Sequence, residues 1–472
     1  MVSPTAVKEL RTGFAGPLLT PGDPGYDQAR DVWNGGFDRR PALIARCTGV
    51  QDVAAAVRFA QRHDLLTAVR GGGHSIPGHS VCEGGLMIDL SPMKGMRVDV
   101  EGRTAQAQPG LKWGEFDRET GAHGLAVPGG YVSTTGIAGL TLGGGIGWIS
   151  RKHGLTCDNL VSADVVTADG ELVRADAERN ADLFWGLRGG GGNFGVVTNF
   201  EYRLHEVPSV LGGALIYGGE RAAEVLPAFR DFASTAPREL TCLVLMVNSP
   251  RHRPYPEDMQ GQPVLFVGVC YAGPSEEGQR TLDELRSVAA PDIDIAREMS
   301  YVKVQDMLDD DGWGSPWYEK AAYTREVTDS ALTTLVERWN ERTSDRAQLY
   351  MQQMGGAIAD VDEEATAFGG RDTEFVYMAL GGWEPGEDPT PHVEWSRGTW
   401  SALRPDAVDG VYVNFDSDDD AGRVRATYGD KYERLRRLKA KYDPGNLFRL
   451  NQNIEPAASA DPAGAAISGS VG

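Results

Sequence analysis

The sequence predicts a mixed α and β fold in two parts, and its texture shows why. As far as about Leu204, short strand-like runs alternate with glycine loops and short helices; from about Val207, longer strand-like runs alternate with charged amphipathic helices. Glycine supplies the third observation. The chain has 60 glycines in 472 residues, about 13% against an average near 7%. The excess is clustered, as it is where backbone must approach a ligand.

At ~100 to 200 residues per domain, this length accommodates two to four structural units around a large buried core. Hydrophobic residues at 41% and charged residues at 24% fit a folded globular chain and exclude wholesale disorder and a membrane bundle. With 46 Lys and Arg against 67 Asp and Glu, the formal charge is −21. Such a field repels a polyanion, so nucleic acid is not expected as a partner. Cys47, Cys82, Cys157, Cys242 and Cys270 are odd in number and lack paired spacing, which argues against a disulfide framework and for a reducing compartment. Residues 1–21 hold no basic patch followed by a long apolar run. No secretory signal or membrane span is therefore expected, and the expected location is cytoplasmic.

Taken in order, residues 51–63 (QDVAAAVRFAQRH) predict a helix with Val53, Ala56, Val57 and Ala60 on one face, and Leu66 to Arg70 (LTAVR) a buried strand. Strand followed by glycine or loop recurs at 86–90, at 164–169 before Gly170, and at 196–202. In the second part, 263–271 (PVLFVGVCY) predicts a strand and 332–342 a helix. Trp313, Trp317, Trp383, Trp395 and Trp400 are expected in or near loops, where they could wall a pocket for a ring-shaped substrate or simply pack. A basic helix over 430–441, a turn at 443–446 and a polar, strand-like ending close the fold, and the Ala, Gly and Ser tail after Pro456 is expected to be disordered.

Four clusters carry chemistry. Directly after a strand, Arg70, Gly71, Gly72, Gly73, His74 and Ser75 (RGGGHS) let backbone N–H groups converge on phosphate oxygens, with His74 at the mouth of the nest. His74, His79 and Cys82 lack a second ligand pair, so no metal is expected. The second cluster, residues 128–148 (PGGYVSTTGIAGLTLGGGIGW), is dominated by small residues and hydroxyls. There Ser133, Thr134 and Thr135 can donate to a pyrophosphate, while Gly129, Gly136, Gly139, Gly143 and Gly144 keep the chain close. The third, residues 187–198 (LRGGGGNFGVVT), contains a G-x-G-x-x-G match followed by a strand at Val196 and Val197 rather than a helix, which argues against a Rossmann domain. The fourth joins Tyr412, Val413, Asn414 and Phe415 to residues 441–454 (KYDPGNLFRLNQNI), whose Asn446, Asn451, Gln452 and Asn453 form an unusual surface to bury without a polar ligand.

In this order and spacing, from about Ala42 to Ile454, the clusters resemble the berberine bridge enzyme-like flavoproteins of the vanillyl-alcohol oxidase and para-cresol methylhydroxylase superfamily. The resemblance implies an α+β fold: a two-part FAD-binding domain (residues 1–206 and 410–456), an inserted antiparallel-sheet substrate domain (207–409) and a tail at 457–472. It implies that His74 carries FAD covalently, that Val197, Asn414, Asn451 and Asn453 join the glycine loops in holding the cofactor, and that Tyr412 is the catalytic base. Neutral imidazole is a competent nucleophile, and a base is needed because hydride leaves an alcohol carbon more easily when the hydroxyl proton leaves too. A tyrosine pKa of ~10 must be lowered for this, and Asn414, on the same strand face, is a candidate donor.

Two departures matter. Doubly attached relatives have a cysteine where this chain has Val132, so one covalent bond, through His74 only, is expected, with Cys157 too distant to substitute. Gly369 and Gly370 stand where many relatives carry proline and histidine, which suggests a wider pocket edge. In the strand 349–355 (LYMQQMG), Tyr350 and Gln352 share a face and Gln353 takes the other, and Gln352 is expected to touch substrate or flavin. The expected activity is an oxidase that takes hydride from an alcohol or amine carbon of a small cyclic substrate (a natural-product intermediate, an alkaloid-like amine or a sugar) and reduces O₂ to peroxide. A flavin dehydrogenase with another acceptor, a flavin-dependent oxygenase and a nonenzymatic binding protein that kept a flavin or nucleotide fold are the competing readings.

Overall fold

The computed structural model describes residues 3–309, 312–417 and 421–458. The expected tail therefore lies, from residue 459 onward, outside the described residues. The fold is α+β and holds three main sheets. The first is mixed, in the order Leu18–Leu19, Leu43–Arg46, Leu86–Asp89, Thr67–Arg70, and its last three strands are parallel. Helix Val50–Arg62 makes the crossover, burying Val53, Ala56, Val57 and Ala60 as its 3.6-residue period requires. The second sheet is antiparallel and five-stranded, with Val196–Arg203 at its centre between Thr104–Ala107 and Leu160–Val166.

The third sheet is antiparallel and eight-stranded, and its central run is Val210–Gly218, Pro263–Tyr271, Leu240–Asn248, Gln348–Gln353, Phe375–Gly382, Trp317–Thr324. Val210–Gly218, Leu240–Asn248 and Pro263–Tyr271 read as nearly unbroken apolar runs because both faces of the sheet are covered. Helices Ala222–Ala233, Ser275–Val288, Asp329–Asn340 and Thr390–Leu403 cover one face through Leu226, Phe229, Leu285, Leu335 and Trp395. The opposite face turns Leu243, Leu245, Ala321, Tyr323, Val376 and Met378 toward Trp148, Phe368 and Tyr412. Past the sheet the chain returns: Val424, Tyr428, Leu435, Leu438 and Tyr442 pack into the same core as Trp113, Phe116, Phe194 and Phe200.

Some local expectations shift. The strand expected at 164–169 is Leu160–Val166, because Thr167 instead closes a turn with Gly170 and Glu171. Among the described residues after Tyr442 there is no strand, since the buried Asp443 carboxylate accepts the N–H groups of Leu447 and Phe448 at 2.8 and 2.9 Å and holds the segment as a loop. Residues 412–415 form a turn and not a strand, closed by the Phe415 N–H on the Tyr412 carbonyl at 2.9 Å. Trp317 opens a strand, and Trp395 and Trp400 lie within a helix. Trp395 is committed to the helical side of the sheet and Trp383 stacks on His392, so these two do not wall a pocket.

Candidate active site

The first glycine loop follows strand Thr67–Arg70. At Gly73, φ is 77°, a conformation that favours glycine. A Cβ on Gly72 would lie 2.4 Å from the Gly136 Cα, so two glycines are what let the first and second loops touch backbone to backbone. His74 is thereby fixed between aromatic rings. Trp33 stacks on it at 5.4 Å, Trp313 meets it edge-on at 5.7 Å, and Trp317 stacks on the far side of Trp33. Its Nε2 is buried without a hydrogen-bond partner. Burial, reinforced by the Lys112 charge, pushes its pKa down to about 3, so the imidazole is neutral at physiological pH. Trp33 and Lys112 were not visible as site residues in the sequence, because neither lies in a motif.

Arg70 donates to the Ala29 carbonyl at 2.6 Å and leaves its buried Nε unpaired. It lines a cavity of about 550 Å³ with Arg46 and Ser91, at the carboxyl ends of the parallel strands, where α/β sheets bind ligands. Ser75 is engaged locally, its Oγ accepting the His79 N–H at 3.1 Å.

In the second loop a side chain would find open space at Gly139, whereas at Gly129 it would strike Trp113, at Gly143 Asn414 and at Gly144 Phe368. The Ser133 hydroxyl and N–H both donate to Asp309. Thr134 and Thr135 are half-buried. In the third loop Gly192 also faces open space, and Val197 is buried in the central strand of the second sheet. Asn193 ties this loop to the C-terminal segment: its amide donates to the Gly190 and Gln452 carbonyls and accepts the Ile454 N–H at 3.0 Å. Asn451 and Asn453 each keep a buried Oδ1 without a partner. Lys439, fully buried, clamps the segment by donating to Asn193 O, Phe448 O and the Asp443 carboxylate at 2.7 to 2.8 Å.

Across from these loops, the Tyr412 hydroxyl accepts the Asn414 amide at 2.8 Å and the Gly145 N–H at 2.9 Å. Both donors favour the phenolate, but burial outweighs them and raises the pKa above the ordinary tyrosine value. Asn414 is thus a donor to Tyr412, as expected, although from a turn. Gln352 is fully buried on the same face of the large sheet as Tyr323 and Met378, and both polar atoms of its amide lack a partner. Gln353 turns to the helical side and bonds the Ala233 carbonyl. At Gly370 the Tyr323 ring occupies the space a side chain would take.

A buried polar atom left unpaired calls for a ligand. The neutral His74 ring, the Gln352 amide, the Asn451 and Asn453 oxygens and the open Gly139 and Gly192 backbones are donors, acceptors and clearances that suit a flavin dinucleotide. The comparisons agree. A profile described as "FAD binding domain" matches residues 41–176, and one described as "Berberine and berberine like" matches 411–455. An FAD-linked oxidoreductase of Dictyostelium discoideum is 30% identical, with 95% of this chain and 97% of that one covered. The (R)-6-hydroxynicotine oxidase of Paenarthrobacter nicotinovorans is 30% identical over 94% of this chain and 97% of its own length. The crystal structure of 6-hydroxy-D-nicotine oxidase from Arthrobacter nicotinovorans superposes with a TM-score of 0.82 at 27% identity, covering 94% of this chain and 98% of the other.

The fold and site define an FAD-linked oxidoreductase. The chain belongs to the berberine bridge enzyme-like family of such oxidoreductases.

Proposed function

We propose that this chain is an oxidase that removes hydride from an alcohol or amine carbon of a small cyclic substrate and reduces O₂ to H₂O₂, with FAD attached covalently through the His74 imidazole alone. The observation that carries this reading is the pairing of a neutral, unpartnered histidine in a glycine nest with a doubly donated tyrosine in the facing segment. When bound, the flavin supplies the hydride acceptor. As its phenolate, Tyr412 takes the substrate's hydroxyl or amine proton and becomes the neutral phenol; the Asn414 and Gly145 donors are placed to stabilise that phenolate against the burial that raises its pKa. Gln352, on the sheet, orients the polar end of the substrate.

Two observations support single attachment. Val132 has no sulfur, and burial pushes the Cys157 thiol well up, so it stays protonated and unreactive. The printed name of the nicotine-oxidising relative supports a ring-bearing amine among the substrates. Five buried, free cysteines support a cytoplasmic setting.

A screen of cyclic alcohols and amines in an oxygen electrode tests the reaction. The expected result is oxygen uptake with an equal amount of peroxide. Turnover with a quinone dye but not with oxygen would make the protein a dehydrogenase, and oxygen uptake without peroxide an oxygenase.

A further inference from the structure

Strand Trp317–Thr324 (WYEKAAYT) turns Trp317, Glu319, Ala321 and Tyr323 to one side by simple alternation. That side carries Gln352 and faces Tyr412, while Lys320 points the other way, bonds Asp416 at 2.9 Å and lies over Trp400. Glu319 is an acid in an otherwise apolar row. It is 5% exposed, pairs across the sheet with Leu380, and its backbone is pinned by Ser417, whose hydroxyl accepts the Glu319 N–H at 2.9 Å. Among the described residues, no donor or cation reaches its carboxylate. Burial acts alone and moves the group up to about 8.

A carboxylate taken out of water without a partner is costly, and proteins do not ordinarily leave one so. Among the described residues no cation is paired with it: His74 is neutral, Lys112 lies over Trp313, and Lys320 is committed to the opposite side. With its pKa raised to about 8 the group is held as a neutral acid at pH 7 while the site is empty, and a cationic ligand beside it would draw it into the ionised form. We infer that Glu319 is the specificity residue that receives a cationic nitrogen of the substrate, so that this enzyme acts on amines protonated at neutral pH. This rests on the oxidase reading and narrows its substrate class.

The geometry also sets a length. Gln352 lies level with Val376 and Tyr323, whereas Glu319 lies level with Leu380 and Gln348. Four residues along a strand separate the two rows, about 13 Å. The nitrogen held by Glu319 is therefore well removed from an atom held by Gln352, as in a substrate of two linked rings.

The test uses the flavin-loaded enzyme and reads the perturbation of flavin absorption on titration with two probes of one shape: 4-phenylpiperidine, protonated at neutral pH, and the neutral 4-phenyltetrahydropyran. The wild type should bind the amine roughly 10- to 100-fold more tightly than the ether, the range expected for a charged hydrogen bond. Glu319→Gln should erase that preference while leaving ether binding and the flavin spectrum unchanged, and Glu319→Asp should retain part of it. Equal binding of the two probes by wild type, no binding of the amine, or a preference that survives in Glu319→Gln would overturn the assignment. Because binding is read without turnover, a protein that binds amine through Glu319 yet releases no peroxide would fail the oxidase reading and keep this one.

Discussion

The glycine loops and the large sheet face each other across the site, and they are built on opposite principles. In the loops, function comes from missing side chains: Gly72 and Gly136 touch because neither has a Cβ, and Gly139 and Gly192 leave their backbones open. On the sheet, function comes from polar side chains placed where apolar ones belong, Gln352 and Glu319 among leucine, methionine, valine and alanine. In the proposed reading the loops hold the cofactor and the sheet face meets the substrate. Substitutions should therefore separate by side: changes in the loops act on cofactor retention, and changes on the sheet and its facing turn act on turnover with the cofactor still in place.

The largest effect expected is on the facing turn. Tyr412→Phe removes the base and should lower turnover by about 10²- to 10⁴-fold with an unchanged flavin spectrum. Stopped-flow reduction would show it, and undiminished reduction would remove Tyr412 from the mechanism. Next comes the clamp beneath the third loop. Lys439→Met leaves the fully buried Asp443 carboxylate without its cation, a loss of about 3 to 5 kcal/mol in denaturant unfolding. Gly72→Ala should follow at about 1 to 3 kcal/mol, together with lost flavin content, since its Cβ would overlap Gly136.

Gln352→Leu sharpens the contrast, because the two unpaired amide atoms cost stability in the flavin-free protein. The variant should unfold no more easily than wild type, and by about 1 to 3 kcal/mol less easily where leucine packs well, yet should turn over poorly. A variant both unstable and active would mean that Gln352 is structural.

A further effect is one of pH. Asp117, buried between the helix Trp113–Gly121 and Gln305, has its pKa raised by burial from 3.8 to about 8. A raised folded-state value means that the native state holds a proton the unfolded chain has lost between those limits. Its contribution is therefore fully present below about 3.8 and is lost as pH climbs to about 8. Asp117→Asn should flatten that part of the stability profile measured between pH 5 and 8.

How much of this was legible in the sequence follows the same division. A cluster of glycines beside a histidine announces itself, because few other needs explain the composition, and the loops at Arg70 to Ser75 and at 187–198 lie where the pattern put them. The sheet face was harder. Glu319 breaks a W-x-E-x-A-x-Y alternation, and that break is a signal, but only if the side facing the cofactor is known. The turn at Tyr412 reads locally as a strand, since the turn bond from Phe415 N–H to the Tyr412 carbonyl and the tertiary bond from Gly145 to its hydroxyl leave no mark in the residue pattern. Tryptophans gave least: Trp313 meets the histidine and Trp317 stacks behind Trp33, while Trp395 serves the opposite core, and composition cannot distinguish the two roles.

The central claim is that His74 holds the flavin. It is tested most directly by the absorption spectrum of the purified protein before and after acid precipitation, together with the intact mass of wild type, His74→Ala and Val132→Ala. Colour that stays in the pellet of wild type and Val132→Ala, with one added FAD in mass, and that washes out of His74→Ala is the predicted result. Colour that washes out of wild type, or that stays bound in His74→Ala, would contradict it.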